Sequence, residues 1–96
     1  MQIQDELKHE ICNIKNEIEK NPEQILNNAL DILLITDKNK KEIMGFSILI
    51  TYGGPNIRWD YLRGSSKLIA TWGNEELEEY VDTSAADHIL DILDES

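Results

Sequence analysis

The chain has 96 residues, 41% of them hydrophobic and 29% charged, and a formal charge of −10. These values fit one folded domain over residues 1–96 with a modest core, and they argue against a disordered segment. The negative field opposes binding to nucleic acid or anionic membranes and favours basic partners. The lone Cys12 excludes an intrachain disulfide.

Ile3, Leu7, Ile11, Ile14 and Ile18 recur at helical spacing, which predicts a first helix over about residues 2–20. Cys12 lies beside this stripe and reads as a small, partly buried side chain. Asn21-Pro22-Glu23 is a helix start: a capping side chain, a proline in the first turn, and an acid at the positive end of the dipole. Ile25, Leu26, Ala29, Leu30 and Leu33 then fit the buried stripe of a second helix ending near Ile35, which would complete a helical hairpin. Thr36 to Lys41 is a polar turn with a local basic cluster, Lys38, Lys40 and Lys41.

From Glu42 the period becomes two. Met44, Phe46, Ile48, Ile50 and Tyr52 alternate with Gly45, Ser47, Leu49 and Thr51, as in a strand. Gly53-Gly54-Pro55-Asn56 is a turn; no helix follows it, so it does not fit a phosphate cradle. Ile57, Trp59 and Tyr61 alternate with Arg58 and Asp60 in a second strand. Arg63-Gly64-Ser65-Ser66 turns into a third, Lys67–Trp72, and Gly73-Asn74 into a fourth, Glu75–Val81. Short turns make these an antiparallel meander. Asp82-Thr83-Ser84 offers caps for a last helix with Ala86, Ile89, Leu90 and Leu93 on its inner stripe. The expected fold class is α+β: an N-terminal helical hairpin, a four-stranded antiparallel meander and a C-terminal helix.

No catalytic motif stands out. His9 and His88 fall on different helices without a second ligand at metal spacing. No nucleophile elbow or catalytic triad is present. The expectation is a non-enzymatic protein with no catalytic, cofactor-binding or metal-binding residues. The opening, Met1–Glu10, mixes charged and isolated apolar residues unlike a signal peptide, and no apolar run reaches membrane length. The expected location is the cytoplasm of the host cell.

The charge is lopsided. Lys67 is the last base, and nine acids follow it: Glu75, Glu76, Glu78, Glu79, Asp82, Asp87, Asp91, Asp94 and Glu95. Asp87, Asp91 and Asp94 stand at i, i+4 and i+7 on the last helix, neighbours about 5–6 Å apart. With Glu76, Glu78 and Asp82 they could form a carboxylate array that occupies a groove built for nucleic acid. The same acids could equally serve solubility alone. Trp59, Tyr61, Trp72 and Tyr80 are candidate apolar anchors beside them, with Trp59 and Trp72 as candidate cross-strand neighbours. Packing beneath the helices is the other role open to these aromatics. A third use, base stacking flanked by Arg58, Arg63 and Lys67, runs against the net charge.

Tyr52-Gly53-Gly54-Pro55-Asn56-Ile57-Arg58, followed by Trp72-Gly73 and an acidic strand, resembles small uncharacterised proteins of bacteriophages and other mobile elements. The resemblance covers roughly residues 45–82. It implies an anti-defence role of the anti-CRISPR type: a phage-encoded inhibitor that blocks a basic, nucleic-acid-handling host protein through an acidic, nucleic-acid-mimicking surface. It implies no catalytic residue. The alternative is a self-associating structural or accessory protein, a homodimer formed through the apolar first strand or the helical hairpin.

Overall fold

The structure, a computed structural model, describes the backbone of residues 2–39 and 42–95 and the side chains of 5–39 and 42–95. The element order is α1 (Gln2–Lys20), α2 (Pro22–Asn27), β1 (Asp31–Thr36), β2 (Ile43–Thr51), β3 (Asn56–Leu62), β4 (Ser65–Trp72), β5 (Glu75–Tyr80) and α3 (Thr83–Glu95). This is an α+β fold. Its sheet has five strands in the order β1-β2-β3-β4-β5, each antiparallel to its neighbour.

The fifth strand corrects the expected helical hairpin. The second helix stops at Asn27, and Leu30 and Leu33 are not on its stripe. Asn27-Asn28 favours a helix end, and the Asn28 N–H closes the last turn on the Gln24 carbonyl at 3.1 Å. The following run, Ile32-Leu33-Leu34-Ile35, extends along β2, with Ile32 opposite Ile48 and Leu34 opposite Phe46. The side chain of Ile3 and the backbone of Lys40 and Lys41 lie outside the described residues.

The three helices lie on one face of the sheet. Leu7, Ile11, Ile14 and Ile18 from α1, Ile25 from α2, and Ala85, Ala86 and Ile89 from α3 are buried against Phe46, Ile48, Ile57, Trp59, Tyr61, Leu68 and Ala70. Each fully buried aliphatic side chain contributes about 1.5–3 kcal/mol relative to exposure. Trp59 sits at the centre, edge-on to Phe46 with ring centroids 5.1 Å apart. Its Nε1–H donates to Ser66 Oγ at 2.9 Å. Gly45 lets β2 and β3 approach, since a Cβ there would come within 2.1 Å of the Tyr61 carbonyl oxygen. At the next turn Gly53 and Gly54 take φ of 106° and 133°, a region glycine enters freely.

None of the described helices covers the other face. One row across it reads Asp31, Leu49, Arg58, Ile69, Glu78, and the next Leu33, Ser47, Asp60, Lys67, Tyr80.

Candidate functional site

Helix α3 is positioned by its cap and its apolar stripe. The Asp82 carboxylate accepts the Ser84 N–H at 3.0 Å, the usual N-cap contact. That hydrogen bond, more than any other influence, holds the Asp82 carboxyl below its ordinary range. The Asp82 N–H donates to Glu19 Oε2 at 3.2 Å, tying the helix start to the end of α1. With Ala86 and Ile89 turned inward, Asp87, Asp91 and Asp94 remain exposed.

Asp87 has a structural task as well. It accepts the Tyr61 hydroxyl at 2.6 Å. This bond, then burial and the neighbouring charge, raises the Tyr61 phenol above its ordinary range. Asp91 and Asp94 carry no such tie, and none of the ion pairs among the described residues involves an acid of α3.

The expected single array is divided. Glu76 and Glu78 extend from the outer face, opposite Thr71 and Ile69. Asp87, Asp91 and Asp94 ride on a helix packed against the inner face, so the sheet lies between the two groups. Asp82 belongs to the helix cap. Glu78 is further offset by Lys67 at 3.4 Å.

Two of the four expected anchors are removed by burial. Trp59 is 0% and Tyr61 8% exposed. Both share the inner face with Ile57, and a partner would have to open the core to reach them. Their alternation with Arg58 and Asp60 was the signal for this. Trp72 is half-buried and lies opposite Glu75, so it is no cross-strand neighbour of Trp59, which faces Leu68. Tyr80 stands free at 70% exposure on the outer face.

The outer face holds what sequence reasoning passed over. A shallow hollow of about 470 Å³ has Leu33, Leu49 and Ile69 along its floor and Asp31, Arg58 and Glu76 around it. The signal was apolar side chains at outward positions of an alternating strand. Arg58 pairs with Asp60 at 3.5 Å, and Asp60 also accepts the Ser47 hydroxyl at 2.6 Å. With Lys67 on Glu78, two of the three cations considered for nucleic-acid stacking already face carboxylates.

Cys12 is exposed, not partly buried. His88 contacts Glu23 at 2.8 Å, joining α3 to α2. Among the described residues no group of His, Cys, Asp or Glu is arranged to hold a metal, and no helix is long and apolar enough to cross a membrane.

No protein-family model matches the chain, and no curated protein or solved structure shows significant similarity to it.

Proposed function

We propose that the protein is a non-catalytic inhibitor that docks through α3 on the basic surface of a nucleic-acid-handling protein. A phage-encoded anti-defence role, with a CRISPR effector as one such target in the host cytoplasm, is the biological setting that the sequence resemblance implies. The observation that carries this reading is the charge pattern of α3. The helix has no acid in its first turn and no base in its last. Asp91, Asp94 and Glu95 instead crowd its negative end, where the dipole disfavours them. Asp87 with Asp91, and Asp91 with Glu95, are like-charge pairs at i, i+4, which cost a helix a few tenths of a kcal/mol each. Local stability therefore does not account for these acids, and solubility would be served as well by acids placed near the other end. A basic groove would reward them: exposed carboxylates at this spacing present charge much as successive phosphates do. Such charge mainly speeds encounter and selects the partner.

The test uses Asp91→Lys with Asp94→Lys, leaving Asp87 to hold Tyr61. Tagged protein is exposed to nuclease-treated host lysate. The expected result is capture of a basic protein by the wild type, release of that protein by excess duplex DNA or RNA, and loss of capture in the double variant. Lysines at the negative helix end should hold or raise the melting temperature, so the loss would not reflect unfolding. Capture that persists in the variant, or that competing nucleic acid leaves untouched, removes α3 from the mechanism.

A further inference from the structure

The two edges of the sheet are treated differently. The β5 edge carries Glu75, Glu76, Glu78 and Glu79, and α1 reaches over it with Lys15 placed 3.9 Å from Glu79. Charged side chains and a covering helix are devices by which proteins prevent edge-to-edge pairing. The β1 edge has neither: between Asp31 and Thr36 every side chain is aliphatic, with no lysine, proline or glycine. Leu33 is 61% exposed on the outer face and Leu34 47% on the inner face, where α1, α2 and α3 leave β1 uncovered. Apart from the Ile32 N–H, which donates to Asp31 Oδ1 at 3.0 Å, its free edge offers backbone donors and acceptors to another extended segment.

We propose that a second copy of the chain occupies this edge, β1 pairing antiparallel with its counterpart to form a continuous ten-stranded sheet. Self-pairing of an edge strand closes as a two-fold dimer and stops there, whereas addition of β1 to the glutamate-lined β5 edge would leave open ends. The two-fold axis must stand perpendicular to the sheet, because residues opposite each other in an antiparallel pair share a face. The apolar pattern selects the register. An axis at Leu34 would set Ile32 opposite the partner's polar Thr36 on the inner face. An axis at Leu33 sets Asp31 opposite the partner's Ile35 and Ile32 opposite the partner's Leu34, so all inner-face contacts are apolar. The Asp31 side chains then lie at opposite ends of the interface. The docking of α3 on a basic protein neither requires nor implies this pairing.

Sedimentation velocity across concentrations that bracket dissociation constants from about 1 μM to 1 mM tests the pairing. The wild type is expected to pass reversibly from monomer to dimer. Leu33→Lys should weaken the dimer about tenfold or more, because the axis sets two ammonium groups opposite each other. Its circular dichroism and melting at dilute concentration should match the wild type. Cross-linking tests the register. In a Cys12→Ser background, Leu33→Cys should oxidise to a covalent dimer, since residues facing each other across the axis lie about 4.5–5.5 Å apart between Cα atoms, within disulfide range. Tyr52→Cys, at an exposed position away from β1, should not. A protein that stays monomeric throughout overturns the proposal, including the case in which β1 binds a strand of some other protein. So does a dimer unaffected by Leu33→Lys, or equal cross-linking at positions 33 and 52.

Discussion

Replacing Ser66 by alanine removes one oxygen atom and isolates the most deeply buried polar group of the core. Trp59 is 0% and Ser66 1% exposed, and the indole N–H has Ser66 Oγ as its acceptor at 2.9 Å. No described buried side-chain nitrogen or oxygen lacks a partner. Ser66→Ala breaks that state, leaving a donor that neither water nor protein satisfies. The expected penalty is about 1–3 kcal/mol, and in a domain of this size about 2 kcal/mol lowers the melting temperature by roughly 8–16 °C. The void left by one hydroxyl is too small to add much. A double-mutant cycle isolates the cause. In a Trp59→Phe background the orphan donor is gone, and the Ser66 hydroxyl is itself unpaired, so Ser66→Ala should there be neutral or stabilising. Urea unfolding followed by far-UV circular dichroism measures all four proteins. A cost below about 0.5 kcal/mol in the wild-type background, or the same cost in both backgrounds, would refute the assignment of this hydrogen bond as the bond that completes the core.

Tyr61 should give the protein an alkaline limit. Its phenol is held protonated in the fold, so the unfolded chain loses its proton first once pH passes about 10. The stabilisation is complete below that value and is lost as pH rises through the higher folded-state value. The difference in urea midpoint between wild type and Tyr61→Phe should therefore hold from neutral pH to about 10 and shrink as pH rises further; a constant difference would show that the phenolic proton is not linked to folding. Asp82 has the opposite sign: its carboxyl is held ionised by the Ser84 N–H, so its contribution is present above about 3.9 and lost as pH falls through the lower folded-state value. Asp82→Ala should melt earlier than wild type at pH about 7 and together with it under strong acid. A gap that persists in acid would mean that the charged cap is not the cause. Gly45→Ala should cost at least the roughly 1–3 kcal/mol typical of overpacking, because the new Cβ meets backbone, 2.1 Å from the Tyr61 carbonyl oxygen. Unchanged thermal stability in this variant would show that β2 and β3 can separate freely there.

The elements that sequence reasoning located were those whose local signals agreed with one another. The α1 stripe had one period over four turns. The four strands from Ile43 to Tyr80 were separated from one another by glycine-containing turns. The segment Ile25–Ile35 lacked that agreement. Its aliphatic residues fit helical offsets and also form a contiguous strand-like run, and periodicity cannot separate the two. Pairing with β2, the next strand along the chain, decided it. The surface divides in the same way. Exposure of Asp87, Asp91 and Asp94 follows from the amphipathicity of α3, a local property. That Glu76 and Glu78 lie across the sheet from them depends on which face the helices cover, and no residue of β5 encodes that alone. The paired role of Asp87 with Tyr61, 26 positions apart, was invisible for the same reason.

A two-fold axis perpendicular to the sheet has a consequence for α3. Rotation about it keeps the inner faces on one side, so both copies of α3 would stand on the same side of the ten-stranded layer. Two acidic stripes would then face one extended basic surface, or two copies of it, and the second contact would form at the high effective concentration set by a rigid sheet. The two surfaces can be broken separately. Asp91→Lys with Asp94→Lys should abolish capture of the basic protein while leaving sedimentation as in the wild type or slightly more dimeric, since the net repulsion between protomers falls. Leu33→Lys should leave each stripe intact yet weaken capture, and most strongly when the partner is immobilised at high density, where avidity operates. Equal capture by Leu33→Lys and wild type at every density would show that one stripe suffices and that pairing through β1, where it occurs, serves something other than presentation of charge.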